Sequence, residues 1–288
     1  MMMSAVTWSL AITGTVLAAE IVAGRHKGIY TRDEVLLNTS CISIGLLLRP
    51  FGAVVLSTIV GLALPAGKGL LAGAPFWPAF IALLLLAEGA NYAVHRACHE
   101  VKGSRVLDWL WRMHRTHHTA RYVNVLLNFR VSPFWGLVGG LPWVATLGFY
   151  LGMTDATGAM LGVFMLWGIV THSDFRWDDT LRNNRFTAPF FRAFEHVVIT
   201  PGVHHTHHGF GKNGANYRNY GVFLAIYDWM FGTLVIPSAR PARYGLPGNQ
   251  PHWMDDALSP FKLGTIIERQ RENRGPIGHN VQVATAEE

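Results

Sequence analysis

Histidines recur in this chain at spacings that suit metal binding. Neutral imidazole is the commonest metal ligand among side chains, and a helix places residues three and four positions apart on one face. Three short segments, HRACH, HRTHH and HHTHH, have this spacing, and one further histidine lies between the last two. We predict nine metal ligands: His95, His99, His114, His117, His118, His172, His204, His207 and His208.

The number of these histidines predicts two metal ions. A tetrahedral zinc site needs four ligands, and an iron site of two histidines and one carboxylate needs three. The isolated His26, His252 and His279 are interpreted as ordinary surface or core residues. The boxes are internal and interrupted, so a purification tag does not explain them. Cys41 and Cys98 are too few for a four-cysteine iron–sulfur site, and Cys98 is interpreted as a packing residue.

Polar residues precede the first box on the same helical face. Glu88, Tyr92, His95 and His99 are spaced four, three and four residues apart, which places them on one stripe of a helix. A carboxylate in this position can accept a hydrogen bond from an imidazole N–H and orient the ring. We expect Glu88 to do so; the alternatives are that it reaches the membrane interface or binds Asn91.

Three residues near the other boxes have open roles. Asp174 follows His172 and could be a ligand, orient that histidine, or cap the next segment. His196 and His205 lie before and within the third box, and either could supply one further ligand.

Composition indicates a membrane protein. The chain is 50% hydrophobic and 15% charged, whereas an ordinary soluble domain has about a quarter charged residues. Apolar stretches at 5–24, 39–64 and 73–94 are near the ~20 residues of a membrane-spanning helix. A fourth stretch, 134–170, predicts two further spans that separate around Thr154 to Thr157, with a kink or break at its Gly-Gly-Leu-Pro segment. We predict an all-α fold: an integral membrane helical bundle with a cytoplasmic helical cap that carries a histidine-rich dimetal site.

Charge predicts the orientation of this bundle. Basic residues follow the first, third and fifth predicted spans, and this pattern predicts that all three histidine boxes lie on the cytoplasmic side and the N-terminus outside. The first stretch has no charge before it, so we interpret it as a retained span and not a signal peptide. The net charge of +6 favours contact with an anionic leaflet, since no nucleic-acid-binding motif is present. Short loops and the lack of a retention signal favour a bacterial inner membrane over the endoplasmic reticulum.

Three regions follow from these patterns. Residues 1–80 are predicted to be N-terminal membrane anchor spans, 81–240 the histidine-box catalytic region, and 241–288 a C-terminal cytoplasmic extension. The polar segment 270–288 lacks hydrophobic periodicity and is predicted to be mobile.

The ordered motifs resemble the fatty acid hydroxylase superfamily, which includes sterol desaturases and related membrane di-iron oxygenases. The resemblance covers about residues 82–235 and includes Arg130 as a shared feature. It also extends to Asn124, Asn219 and Asp228, which are implied to support the site or to supply a further ligand. The residues that carry it are Glu88-x3-Tyr92-x2-His95-Arg96-x2-His99, His114-x2-His117-His118, His172-Ser173, Thr200-Pro201-x2-His204-x2-His207-His208, Asn219-Tyr220-Gly221 and Phe231-Gly232-Thr233.

This chain departs from the family pattern at four positions and keeps every box histidine. Glu88 stands where the family usually has Asp, Ser132 where it usually has His, Asp174 where Asn is common, and Tyr227 where Trp is common. The subfamily and the substrate are therefore left open.

The resemblance implies two iron ions, O2 as co-substrate, and hydroxylation or desaturation of a lipid-like substrate such as a fatty acyl chain or a sterol. Zinc would suit the same nitrogen ligands in purified protein but has no redox chemistry. The chain has no dinucleotide-binding fingerprint and no cysteine cluster, so an external electron donor, a ferredoxin, a cytochrome or a reductase, is implied.

Other functions remain to be weighed against this one. Within the superfamily they are carotenoid, alkane or aldehyde, and ether-lipid oxygenases. A histidine-rich membrane metal transporter or metal-binding protein is the alternative from another class; it would need polar residues deep in several spans, yet few interrupt the apolar runs. A catalytically inactive scaffold is disfavoured because every expected box histidine is present.

Overall fold

The described part of the chain is mostly helical, with very little strand. The computed structural model describes residues 2–248 and 250–274, and the side chains of residues 7–248 and 250–269. The helices are α1 (Met2–Val22), α2 (Arg32–Ala63), α3 (Phe76–Glu100), α4 (Asp108–His118), a 3-10 helix (Val125–Phe129), α5 (Trp135–Val138), α6 (Gly140–Tyr150), α7 (Thr154–His172), α8 (Trp177–Asn183), α9 (Ala188–Glu195), α10 (Pro201–His208), α11 (Ile226–Met230), α12 (Trp253–Ala257) and α13 (Leu263–Arg274). Two short antiparallel strands, β1 (Gly209–Phe210) and β2 (Arg243–Tyr244), pair with each other.

Among the described residues, α2, α3 and α7 are long and apolar enough to cross a membrane, and Thr7–Val22 of α1 is a shorter apolar helix. The predicted all-α membrane bundle is thus confirmed, but the prediction that 134–170 holds two full spans is wrong. The chain breaks at Gly139, as the glycine–proline segment predicted, and again at 151–153, just before the predicted Thr154 to Thr157. The intervening α6 has 11 residues, or about 16 Å at 1.5 Å per residue, roughly half of the hydrocarbon core.

The centre of the bundle is formed by α3, α6 and α7. Their buried core includes Leu83, Val144, Met160 and Phe164. Close approach requires a glycine in α6: a Cβ added to Gly140 would lie 2.3 Å from the backbone carbon of Ala90. The short helix α6 therefore lies directly against the backbone of α3, which helps to fix the angle at which α3 carries the first histidine box.

The N-terminal helices reach the region that follows the second box. In α1, Glu20 is 2% exposed and accepts hydrogen bonds from the backbone amides of Val125 and Asp174. At the start of α2, Glu34 forms an ion pair with the buried Arg130. The boundaries of the three predicted regions stay a prediction.

The C-terminal end is described only in part. Helix α13 continues to Arg274, so the first residues of the segment 270–288 are helical. The rest of this segment, which we predicted to be mobile, lies outside the described residues.

Candidate metal centre

All nine box histidines lie together, and their ring nitrogens form two groups. The possible ligand atoms of each group lie within 4.8 Å of one another. No imidazole of either group is more than 7% exposed. Group A consists of His95, His99, His114, His118 and His207, and group B consists of His117, His172, His204 and His208.

Helical periodicity explains how one box serves both groups. In α4, His114 and His118 are four residues apart and point to group A, whereas the intervening His117 points to group B. In α10, by the same geometry, His207 belongs to group A and its neighbours His204 and His208 to group B. The groups adjoin each other, since the ring centroids of His118 and His208 are 4.7 Å apart.

The converging atoms are the Nε2 nitrogens. In group A, the Nε2 atom of His118 lies 2.9 Å from that of His114, 3.2 Å from that of His99 and 3.1 Å from that of His207. In group B, the Nε2 atom of His204 lies 2.9 Å from that of His172 and 3.1 Å from that of His208. Ligands at 2.0–2.1 Å from one metal ion are roughly 2.8–3.4 Å apart in octahedral or tetrahedral geometry. Both groups fit that spacing.

The opposite ring nitrogen orients several of these imidazoles. The Nδ1 atom of His95 lies 2.7 Å from the carbonyl oxygen of Tyr220, and that of His207 lies 2.7 Å from the carbonyl oxygen of Arg218. In group B, His117 and His172 bind the carbonyls of Leu127 and Gly168 at 3.1 and 2.7 Å. A carbonyl can only accept, so Nδ1 carries the proton and the Nε2 lone pair is free for a metal ion.

Burial keeps these rings in the neutral form that binds metals. The pKa values of the histidines on α4 and α10 are held well below 6.5, first by burial and then by repulsion from neighbouring histidines. The Nε2 atom of His95 is buried and has no hydrogen-bond partner. An unsatisfied buried polar atom costs about 1–3 kcal/mol, which a metal ion in group A would remove. The donor set therefore fits two metal ions held by nitrogen.

The loop after the third box supports group A, and two predicted site residues hold it in place. Glu88 accepts hydrogen bonds from the backbone amides of Val222 and Phe223 at 2.7 and 3.1 Å. Asp228 accepts those of Tyr220 and Gly221 at 2.8 and 2.7 Å. The expectation that Glu88 binds an imidazole directly is wrong, because both of its oxygens are taken by this loop. It acts through the carbonyl of Tyr220, which binds His95.

Asn219 and Tyr92 support the same loop. Asn219 has a positive φ of 58°, and its side-chain amide donates to the carbonyls of Val203 and Val235. It thereby joins the loop to α10, which carries three ligands. The Tyr92 hydroxyl lies 3.0 Å from that of Thr233.

The other predicted supporting residues lie outside both groups. The side chain of Asn124 accepts a hydrogen bond from the amide of Leu126 and so caps the 3-10 helix whose Leu127 carbonyl binds His117. Asp174 lies 3.7 Å from Arg25 and 3.3 Å from Arg176 in ion pairs, and no histidine joins these pairs.

His196 and His205 are not brought to the metal groups. The Nδ1 atom of His196 bonds to the carbonyl of Arg192, and its ring lies against Trp229. His205 is fully buried in α10, with its ring edge toward Tyr244.

Two further residues support the site and were not predicted from the sequence. Glu20 binds the amide that begins the 3-10 helix and the amide of Asp174, two residues after His172, so it joins α1 to two elements of group B. The signal for it was an acidic residue inside an apolar run. Arg182 is 1% exposed on its side chain and pairs with Asp178 and Glu195 at the start of α10. No local pattern in the sequence distinguished it from the other arginines.

Fold and site together define a class: a helical membrane protein with two adjacent histidine clusters, each able to hold a metal ion, at the ends of two apolar helices. A family model for fatty acid hydroxylases matches residues 80–233, more than half of the chain. The chain belongs to the fatty acid hydroxylase family, which confirms the resemblance seen in the histidine boxes.

One curated relative is a protein of Arabidopsis thaliana named "Putative Delta(7)-sterol-C5(6)-desaturase 2". The two sequences are 30% identical over 166 residues, which cover 56% of this chain and 50% of the relative. The chain thus spans about half of that protein's length. No solved structure matches the chain.

Proposed function

We propose that this protein is a membrane di-iron oxygenase that uses O2 and external electrons to hydroxylate or desaturate a lipid-like substrate. The observation that carries the proposal is the convergence of nine Nε2 atoms into two adjacent groups at the ends of two apolar helices. Family membership and the sterol desaturase relative support the class of substrate.

Each group of histidines would bind one of the two iron ions. His95, His99, His114, His118 and His207 would hold one iron ion, and His117, His172, His204 and His208 the other. Two iron ions would supply the redox chemistry that attack on an unactivated C–H bond requires and that no amino-acid side chain offers.

The protein's own residues would orient the ligands and exclude water. Carbonyls of Tyr220, Arg218, Leu127 and Gly168 fix the protonated Nδ1 side of four rings, so each Nε2 lone pair is aimed at a shared point. Burial of every imidazole would exclude bulk water from metal ions held there, which limits side reactions. Hydrogen bonds to the opposite ring nitrogen also raise the basicity of the ligands.

The setting within the cell is part of the proposal. The ligand-bearing ends of α3 and α7 would face the cytoplasm, because basic residues follow both of these helices in the sequence. A ferredoxin, a cytochrome or a reductase would deliver electrons there, and a bacterial inner membrane is favoured over the endoplasmic reticulum.

The test begins with metal content. Protein purified anaerobically from iron-supplemented cells should hold about two iron ions per chain by elemental mass spectrometry, as two histidine groups require. The double variant His117→Ala/His207→Ala removes one ligand from each group and should lose most of this iron. The matched control His26→Ala/His196→Ala changes two histidines outside both groups and should retain it.

Product analysis completes the test. The iron-loaded protein, given O2, a chemical reductant and a mixture of fatty acyl lipids and sterols, should yield a product heavier by one oxygen atom or lighter by two hydrogens. The first mass identifies hydroxylation and the second desaturation. Iron retained by the ligand variant, or the absence of any O2-dependent product, would contradict the proposal. Metal-dependent transport without a lipid product would favour the transporter alternative.

A further inference from the structure

Helix α11 lies at the depth of the apolar helix α3, far from the end of α3 that carries the histidines. The Tyr227 hydroxyl donates a hydrogen bond to the carbonyl of Leu85 at 2.9 Å. Leu85 is 15 residues before Glu100, the last residue of α3, or about 22 Å along the helix axis. If α3 crosses the bilayer, α11 is therefore held within the hydrocarbon.

The loop before α11 meets the requirement for a re-entrant loop, which is that its backbone polar groups are hydrogen-bonded by the protein. Irregular backbone at membrane depth is tolerated only where the protein binds its polar groups. The amides of residues 220–223 are bound by the buried carboxylates of Glu88 and Asp228. Two acidic residues in an apolar setting thus have a clear role, since they replace the water that the loop would otherwise require.

The outer face of α11 continues the exposed apolar face of α3. Trp229, Met230 and Phe231 are 60%, 66% and 56% exposed, and Leu86 of α3 is 50% exposed. Large apolar side chains that are exposed together mark an interaction surface. Because α3 is a candidate span, the neighbour that this continuous surface fits is the acyl-chain region of the bilayer.

A groove of about 480 Å³ runs between the two helices. The α3 side of the groove includes Gly89, Ala93 and Ala97, and Tyr227 and Phe231 form the α11 side. The groove reaches from Gly89 to Glu100, about 16 Å along α3, which is close to the thickness of one leaflet's hydrocarbon, about 15 Å.

The groove has its polar end where the headgroup of a lipid would lie. Arg96 and Glu100 line it near the end of α3, and Arg96 Nε donates to Glu100 at 2.7 Å. A guanidinium has five N–H donors, so further donors remain for phosphate or ester oxygens. The apolar part of the groove runs from there toward the bilayer centre, in the direction that an acyl chain takes in a leaflet.

We propose that the groove between α3 and α11 binds one acyl chain of a membrane lipid, which enters sideways from the leaflet with its headgroup at Arg96 and Glu100. The Tyr92 ring lines the groove and lies 5.9 Å from the ring of Tyr220, which in turn lies 5.5 Å from those of His95 and His99. The groove thus adjoins group A across two aromatic rings. A role in supplying substrate rests on the proposed function, whereas lipid binding does not.

Photocrosslinking tests the groove directly. The full-length protein is placed in phosphatidylcholine nanodiscs that contain a phospholipid with a diazirine at mid-chain, illuminated, digested and analysed by mass spectrometry. Adducts should concentrate on residues 89–100 and 226–231, and their yield should fall as the ratio of unlabelled phosphatidylcholine to labelled phospholipid in the nanodisc is raised. Ala93→Trp fills the groove and should lower their yield about tenfold, equivalent to a loss of about 1.4 kcal/mol in binding.

A bulky change elsewhere on an apolar span provides the control. Ala53→Trp on α2 adds the same side chain at a shallow surface depression and should leave the groove adducts unchanged. Should Ala93→Trp fail to fold, judged by its melting temperature, Ala97→Leu replaces it. Even labelling of all lipid-facing surfaces, or equal adduct yields in both tryptophan variants, would overturn the proposal. Labelling by a sterol probe and not by the acyl probe would overturn the choice of an acyl chain. Iron content and product formation are measured separately, so failure of the proposed function remains distinguishable.

Discussion

At the scale of single residues, the groups that orient ligand imidazoles are backbone carbonyls and not carboxylates. Four of the nine imidazoles bind a carbonyl oxygen through Nδ1. The buried acids lie one step farther away, where Glu88, Asp228 and Glu20 bind backbone amides of the segments that carry or adjoin those carbonyls. A substitution at one of these acids should therefore act on metal binding through the backbone.

Glu20→Gln tests this arrangement. A carboxylate accepts both amides that Glu20 binds, whereas a glutamine side chain has only one acceptor oxygen, so one buried amide loses its partner at a cost of about 1–3 kcal/mol. We expect group B to lose its metal first, so the metal content should fall from about two ions per chain toward about one. Elemental analysis and melting temperature measure both effects. Asp155→Asn, an exposed change in α7, is the control, and equal metal content in the two variants would refute the role of Glu20.

At the scale of elements, α10 depends on an ion network at its first turn. Asp178 accepts hydrogen bonds from Arg182 and from the amide of Gly202, and Glu195 accepts them from Arg182 and Thr200. The side chains of Asp178 and Glu195 are fully buried. The network fixes the start of the helix that supplies three ligands, and the site requires that position.

Arg182→Met should be strongly destabilising. Removing the cation leaves the buried Glu195 without its charge partner and leaves Asp178 with only Arg240, a change that costs about 3–5 kcal/mol. Unfolding in denaturant, followed for the purified protein in detergent, measures the difference. Arg185→Met alters an exposed arginine three residues away and should have little effect. Comparable stability of the two variants would show that the network contributes little.

The contact between α3 and α6 gives a second test at this scale. Gly140→Ala places a methyl group 2.3–2.6 Å from backbone atoms of Ala90 and Asn91, which neither helix can avoid by a side-chain rotation. Overpacking of this kind costs about 1–3 kcal/mol. Gly136→Ala is the control, because an added Cβ there meets nothing within 4 Å. The melting temperature should fall only for Gly140→Ala, and an equal fall in both would contradict this packing.

At the scale of the whole molecule, folding brings the imidazoles together in a buried site where their protonation is unfavourable. Histidines on α4 and α10 have pKa values well below 6.5 because burial and neighbouring histidines disfavour the charged form. In the unfolded chain these rings bind protons near pH 6.5. The unfolded state therefore binds more protons than the folded state once the pH falls below this value.

The metal-free protein should consequently lose stability as the pH falls. The free energy of unfolding is expected to be constant above about pH 7.5 and to decrease below about pH 6.5, by up to about 1.4 kcal/mol per pH unit for each buried histidine. Denaturant unfolding of the chelator-treated protein across this range measures the slope. A variant with His114→Gln should show a shallower slope, whereas His196→Gln should not. A slope of the opposite sign would mean that the folded protein takes up these protons.

The residues of the metal centre and the helical membrane class could be predicted because both depend on local sequence. Spacings of three and four residues place His95 with His99 and His114 with His118, and apolar runs identify α2, α3 and α7. The break at Gly139 follows from local glycine and proline in the same way. The family resemblance rests on the same ordered motifs.

Tertiary structure decided the contacts between parts of the chain that are distant in sequence. It divided the histidines into groups of five and four, gave both oxygens of Glu88 to the loop after α10, brought Glu20 from α1 to group B, and set α11 at the depth of α3. It also reduced the fourth apolar stretch to the short helix α6 and one span. These arrangements depend on how helices far apart in sequence pack against one another, and the spacing of residues along a single helix carries no information about that packing.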